Sequence, residues 1–214
     1  MANLSKWQDA LKLIYEREPH FKALDPLLRI QSLTAGLKSL GADFSVSLLF
    51  LGNRQIETLG DPRFKTLSDD HLFSREVFLL LDGVPVVWAQ SLCKGVRDEK
   101  ASSLEKGRVN ESRWLEILDC GTEPLGHKLF DGSLPITRTP FEYAVVKNPP
   151  MFEWGIEAQD RSDHSEAFDH AFDVPTFIAR RSIFDWAGDG LELTEYYLPA
   201  LFEFIGEKSI ERAV

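Results

Sequence analysis

The chain has 214 residues, 43% of them hydrophobic and 27% charged, with 24 Lys+Arg against 34 Asp+Glu and a net charge of −10. That composition supports a packed core and excludes an acidic disordered tail or a low-complexity chain, and the length suits one domain. A sequence pI near 5.0 excludes a general nucleic-acid binder, which needs a basic footprint, and a protein held by an anionic membrane surface.

The first forty residues read as helical. Trp7, Leu11, Ile14 and Tyr15 recur at spacings of three and four, an amphipathic stripe. A second helix opens at Asp25-Pro26 and closes near Gly41, with a capping residue followed by proline in the first turn. Phe44–Leu51 begins with apolar/polar alternation and reads as a half-buried strand. Two apolar runs, Glu76–Leu81 and Val86–Leu92, flank Asp82-Gly83-Val84-Pro85 and predict a hairpin bounded by proline. Helices are expected around Ser112–Leu118 and from Thr122-Glu-Pro, followed by a strand near Ile136–Val146. A second hairpin joins Phe177–Trp186 to Leu191–Leu198 through Ala187-Gly-Asp-Gly190. Hairpins separated by helices, without βαβ alternation, point to α+β with a mainly antiparallel sheet.

Two segments read as surface insertions, 94–110 and 149–175. The second carries seven acidic side chains against the single basic Arg161, a local charge of −6. No apolar stretch reaches the roughly 18 residues of a membrane span, and the charged N-terminus lacks a signal-peptide core. A cytoplasmic protein with two reduced thiols, Cys93 and Cys120, is therefore expected. No Gly-rich phosphate loop, nucleophile elbow or HExxH occurs. Asp163-His164 and Asp169-His170 lie six apart, which does not align ligands on one helix face, and no metal site is assigned.

The informative polar residues stand in otherwise apolar strands. Arg75 opens the first hairpin and Glu195 sits near the end of the last strand. A buried arginine that holds a carboxylate through two donors is one reading, and a structural ion pair is the other. A glutamate desolvated by apolar neighbours has its pKa raised, which suits a general acid near neutral pH.

Three blocks together resemble chorismate lyase, the chorismate–pyruvate lyase of ubiquinone biosynthesis. They are Arg75-Glu-Val-Phe-Leu-Leu-Leu-Asp-Gly-Val-Pro85; Gly121-Thr-Glu-Pro-Leu-Gly-His-Lys-Leu-Phe130 with Ile136-Thr-Arg138; and Ala179-Arg-Arg-Ser182 with Leu193-Thr-Glu-Tyr-Tyr-Leu-Pro-Ala200. The likeness spans about Leu24 to Ala200. It implies a single α+β domain over 1–214, with helical flaps over a buried ligand cavity and a tail at 201–214. It also implies a monomeric lyase that converts chorismate to 4-hydroxybenzoate and pyruvate without metal or cofactor. Carried over by motif, Arg75 would hold the ring carboxylate with the backbone N–H groups of Leu33 and Leu125. Glu195 would face the oxygen-bearing side of the ring as the acid. The family usually shows an arginine where this sequence has Gln90, placed to meet a second carboxylate; Gln90 is a weaker donor. Arg138, Arg180 and Arg181 are candidate replacements for it. The rival expectation is a non-catalytic domain of the same fold that binds a small anion, as in the effector-sensing parts of some transcription regulators.

Overall fold

Two tight turns organise the sheet. Asp82 and Gly83 have φ of 48° and 80°, and Ala187 and Gly188 have 55° and 86°. Two successive positive φ values twist the chain to match flanking antiparallel strands. In the computed structural model, which describes residues 3–4, 7–54, 72–95, 112–147 and 176–211, these turns close two long hairpins. The first joins β3 (Leu72–Leu81) to β4 (Val84–Lys94). The second joins β7 (Thr176–Trp186) to β8 (Asp189–Tyr197). Both turns are shorter than the sequence suggests. Pro85 lies inside β4, opposite Leu80 at an irregularity in the ladder, where its missing N–H does least harm.

The remaining strands are β1 (Asn3–Leu4), β2 (Phe44–Arg54), β5 (Thr137–Arg138) and β6 (Glu142–Lys147). All pairings are antiparallel, in the order β1-β6-β7-β8-β4-β3-β2, with β5 beside β7. The α+β class with an antiparallel sheet is the architecture observed.

The N-terminal forty residues are helical in shorter pieces than expected. They form α1 (Leu11–Arg17), a 3-10 segment (Pro19–Leu24), α2 (Asp25–Arg29) and α3 (Leu33–Lys38). The helix expected from Asp25 to Gly41 breaks at Ile30, whose backbone is extended. Ser32 then caps α3 through its side chain. Trp7 lies outside α1, against the Arg181 guanidinium at 4.2 Å. After β4 come α4 (Trp114–Leu118) and α5 (Leu125–Phe130), and the chain turns after β8 into α6 (Leu201–Glu211). The segment read as a tail is thus largely helix, anchored by the buried Leu201. The segments 96–110 and 149–175, including the Asp-His pairs, lie outside the described residues.

One face of the sheet carries both helical groups. Val77, Leu79, Val87, Ala89, Ile178 and Tyr197 pack with α1, α2, α3 and Leu201. Farther along the same strands, Cys93, Phe184 and Leu191 pack with α4 and α5. A third cluster, around Trp88, Ala144, Phe177 and Tyr196, occupies the opposite face.

Burial in these clusters sets an alkaline limit to stability. Burial pushes the Cys93 thiol up from 9.0 to about 12, with Ser112 opposing and Asp189 adding. Tyr196 and Tyr197 are raised by burial in the same direction. The unfolded chain releases these protons at lower pH than the folded chain, so it binds fewer protons there. Stability is therefore intact below pH ~8.5 and falls as pH rises toward ~12. Urea midpoints should be lower near pH ~10.5 than near pH ~8, and Cys93→Ala should reduce the difference. Equal midpoints for the unsubstituted protein would contradict this account.

Candidate functional site

Between the two apolar clusters on the helix-covered face runs a belt of polar side chains. Residues opposite one another in an antiparallel ladder share a face, and residues two apart along a strand do too. Arg75 on β3 pairs with Ser91 on β4; two positions along, Ala89 pairs with Glu195 on β8, and Glu195 pairs with Arg180 on β7. Arg75, Ser91, Glu195, Arg180 and Ser182 therefore point to one side, and all are buried. Arg75 and Glu195 are two strand spacings apart, about 10 Å across the sheet.

Each buried arginine ties a helical cover to the sheet. Arg75 Nη2 donates to the carbonyl oxygens of Gly121 at 2.9 Å and Glu123 at 3.0 Å, just before α5. Arg180 Nη1 donates to the carbonyls of Leu27 and Leu28, both at 3.0 Å, and of Ile30 at 2.7 Å. Tyr197 and Tyr143 add hydroxyl donors at 3.3 Å to Leu27 and Leu28. A short helix leaves its last carbonyls without internal partners; here the sheet supplies them.

The two tethers bring the starts of α3 and α5 together. A Cβ added at Gly126 would lie 3.5 Å from Ser32 Oγ and 3.4 Å from Thr34 Oγ1. Leu33 and Leu125 are the first residues of these helices and both are buried. Amide groups at such positions have no intrahelical acceptor.

Of the two readings the sequence leaves open for Glu195, a desolvated acid and a structural ion pair, the ion pair is the one formed. Glu195 Oε2 accepts from Arg180 Nε, and the two side chains form a buried ion pair. Burial alone would lower the Arg180 guanidinium; the Glu195 carboxylate, with Tyr197 and Tyr143, raises it above its ordinary value. Arg138 completes the group. Its Nε donates to Ser182 Oγ at 2.9 Å and its Nη1 to Gln31 O at 2.9 Å. The guanidinium carbons of Arg138 and Arg180 lie 4.1 Å and 4.3 Å from the centre of the Phe141 ring, and an aromatic face eases the approach of cations. Burial lowers Arg138 to about 10, with Glu195 opposing and Arg180 adding to the fall. Burial also lowers Arg75 from its ordinary value, although arginine stays charged at neutral pH.

Gln90 is not part of this group. It pairs with Glu76, one position from Arg75, and so faces the other side of the sheet. Its Nε2 donates to Glu76 Oε1 at 3.3 Å. Arg181 is on that side too, with Nε on Glu142 at 3.0 Å. The placement of Gln90 beside Arg75 in a ligand site is therefore corrected by strand alternation: consecutive side chains point apart. Arg180 and Arg138, candidates from sequence, are the cations brought to the face of Arg75 and Glu195. Tyr143 and Tyr197 were missed. Tyr197 lies two residues beyond Glu195 on β8, a spacing that already marks the shared face.

Two guanidinium nitrogens, Arg75 Nε and Arg180 Nη2, are buried without a hydrogen-bond partner among the described residues. Charged donors left bare in an interior cost more than neutral ones, so these atoms mark where a polar ligand atom fits. The same residues hold no group of three or more His, Cys, Asp and Glu placed for a metal ion. No helix among them is long and apolar enough to cross a membrane.

Fold and belt together define an α+β antiparallel-sheet protein with a buried cationic face under two helical covers. In sequence, this chain resembles the chorismate pyruvate-lyases along most of its length. It is 28% identical over 208 residues to a protein of Ralstonia nicotianae named probable chorismate pyruvate-lyase, covering 89% of this chain and 93% of that one. Proteins of the same name from Shewanella amazonensis and Shewanella frigidimarina are also 28% identical, over 191 and 193 residues, covering 86% and 87% of their lengths and 89% and 88% of this chain. No family model matches. Among solved structures, PhnF from Mycobacterium smegmatis is similar with a TM-score of 0.47 at 13% identity, over 91% of this chain and 88% of that one. The possible transcriptional regulator YydK from Bacillus subtilis scores 0.40 at 14% identity, over 73% of this chain and 59% of that one.

Proposed function

We propose that the chain is a chorismate pyruvate-lyase, a carbon–oxygen lyase that releases 4-hydroxybenzoate and pyruvate within ubiquinone-type biosynthesis. The observation that carries this reading is the belt on one sheet face. Arg75, Arg180, Arg138 and Glu195 lie there between two helical covers, and two of the arginines keep guanidinium N–H groups without a partner among the described residues. Three positive groups and one negative group leave +2 there, the charge a dianion requires, despite a chain total of −10.

Chorismate carries a ring carboxylate, a ring hydroxyl and an enolpyruvyl ether with its own carboxylate. In the reaction the ring C–O ether bond breaks and its electron pair leaves with the enolpyruvyl oxygen. The hydrogen on the neighbouring hydroxyl-bearing carbon leaves as a proton, and its C–H pair completes the aromatic ring. The departing fragment takes up one proton to become pyruvate. Atoms balance without an oxidant, and aromatisation supplies the drive. The protein has to fix one conformer and carry a proton.

Arg75 holds the ring carboxylate, and the amides of Leu33 and Leu125 add fixed dipoles that need no reorganisation. Glu195 faces the oxygen-bearing side, oriented by Arg180; as the carboxylate it takes up the proton leaving the hydroxyl-bearing carbon, and it then serves as the acid that delivers that proton to the departing fragment. Purified protein given chorismate is expected to release 4-hydroxybenzoate and pyruvate in equal amounts, followed by chromatography and a coupled lactate dehydrogenase assay. Binding of chorismate with no product from either partner would replace the lyase by an anion-binding domain. Gln90 does not decide between the two readings, because it does not share the face of Arg75 and Glu195.

A further inference from the structure

The guanidinium of Arg180 has three edges and only two are occupied. Nε meets Glu195, Nη1 meets the carbonyls at the end of α2 and at Ile30, and Nη2 is buried with no partner among the described residues. Across the sheet the order is Arg75 on β3, then β4, then Glu195 on β8, then Arg180 on β7. A molecule whose ring carboxylate lies at Arg75 presents its ether side at Glu195, and whatever extends from that ether reaches Arg180.

We infer that Arg180 is the specificity-determining cation of this site, donating from Nη2 to the second carboxylate of a dianionic substrate. This rests on the lyase reading and puts the second cation on the face of Arg75 and Glu195, where position 90 does not reach. Arg138 has Nε and Nη1 committed to Ser182 and Gln31 and contributes field rather than a contact. Arg181 is excluded by its place on the opposite face, beside Glu142.

The test uses two ring acids that differ only in the second carboxylate, meta-carboxymethoxybenzoate and meta-methoxybenzoate, with affinities measured by calorimetry. The unsubstituted protein is expected to bind the diacid at least about 10-fold tighter, the range of one charge-assisted hydrogen bond. In Arg180→Lys that preference, read as the ratio of the two affinities, should fall below about 3-fold, because a lysine ammonium cannot serve three edges at once. Arg138→Lys should keep the preference. Equal affinities in the unsubstituted protein, parallel loss of both ligands in Arg180→Lys, or loss of the preference in Arg138→Lys would each overturn the assignment. Should Arg180→Lys fail to fold, the other two comparisons still decide. If the unsubstituted protein binds neither acid, the lyase reading falls and this inference falls with it. Binding without preference removes only the role of Arg180.

Discussion

Glu195→Gln is expected to lower chorismate turnover by about 10²–10⁴-fold, the contribution typical of one positioned proton-transfer group. The amide keeps the shape of the carboxyl and an oxygen that can accept from Arg180 Nε, so affinity for 4-hydroxybenzoate should change far less than turnover. The same change removes the negative half of a buried ion pair. Breaking such a pair costs as much as about 3–5 kcal/mol when the remaining charge has no other partner. Arg180 keeps its three carbonyl acceptors, which should hold the loss below that range. The urea-unfolding midpoint and the pyruvate assay, read on the same sample, separate the two effects. Full turnover in a folded Glu195→Gln protein would remove Glu195 from the chemistry and leave the fold untouched.

Arg75→Met is expected to weaken 4-hydroxybenzoate binding by about 2–5 kcal/mol, tens- to thousands-fold, the cost of deleting one partner of a desolvated charge pair. Part of this comes from the ligand and part from the loop. Arg75 Nη2 holds the carbonyls of Gly121 and Glu123, and those residues lead directly into α5 and the amide of Leu125. Methionine fills much of the same volume but restores neither the charge nor the two donors. Arg75→Lys keeps the charge and loses the planar fork, so it should fall between the two. Isothermal titration of the three proteins with 4-hydroxybenzoate orders them. Unchanged affinity in folded Arg75→Met would show that the ring acid binds elsewhere.

Much of the architecture was legible because it rests on local rules. Asp82-Gly83 and the glycine turn at 187–188 announced both hairpins, and antiparallel pairing of neighbouring strands followed. The break at Ile30–Ser32 was hidden within a helical pattern because its cause is distant. Carbonyls at the end of α2 point to Arg180, 150 or more residues away in sequence. Gln90 was misplaced for a different reason. Analogy with a family position names a residue but not a face, and in a strand the next residue belongs to the other side. The Arg180–Glu195 pair could not be read from spacing, since it depends on the register of β7 against β8.

That register raises a question of folding fidelity. Strand β7 is buried over Phe177–Ser182, on both faces, so alternation of apolar and polar residues gives weak guidance on which side is which. Arg180 and Arg181 stand next to each other, and each has its own carboxylate: Glu195 on one side, Glu142 on the other. A slip of β7 by one residue would put one arginine opposite the other's carboxylate, bring Ala179 or Ser182 to the remaining carboxylate, and leave one charge of each sign mismatched inside the protein. Misregistered chains are therefore penalised twice, by charge as well as by packing, and the adjacent arginines act as a key that admits one alignment of the strand.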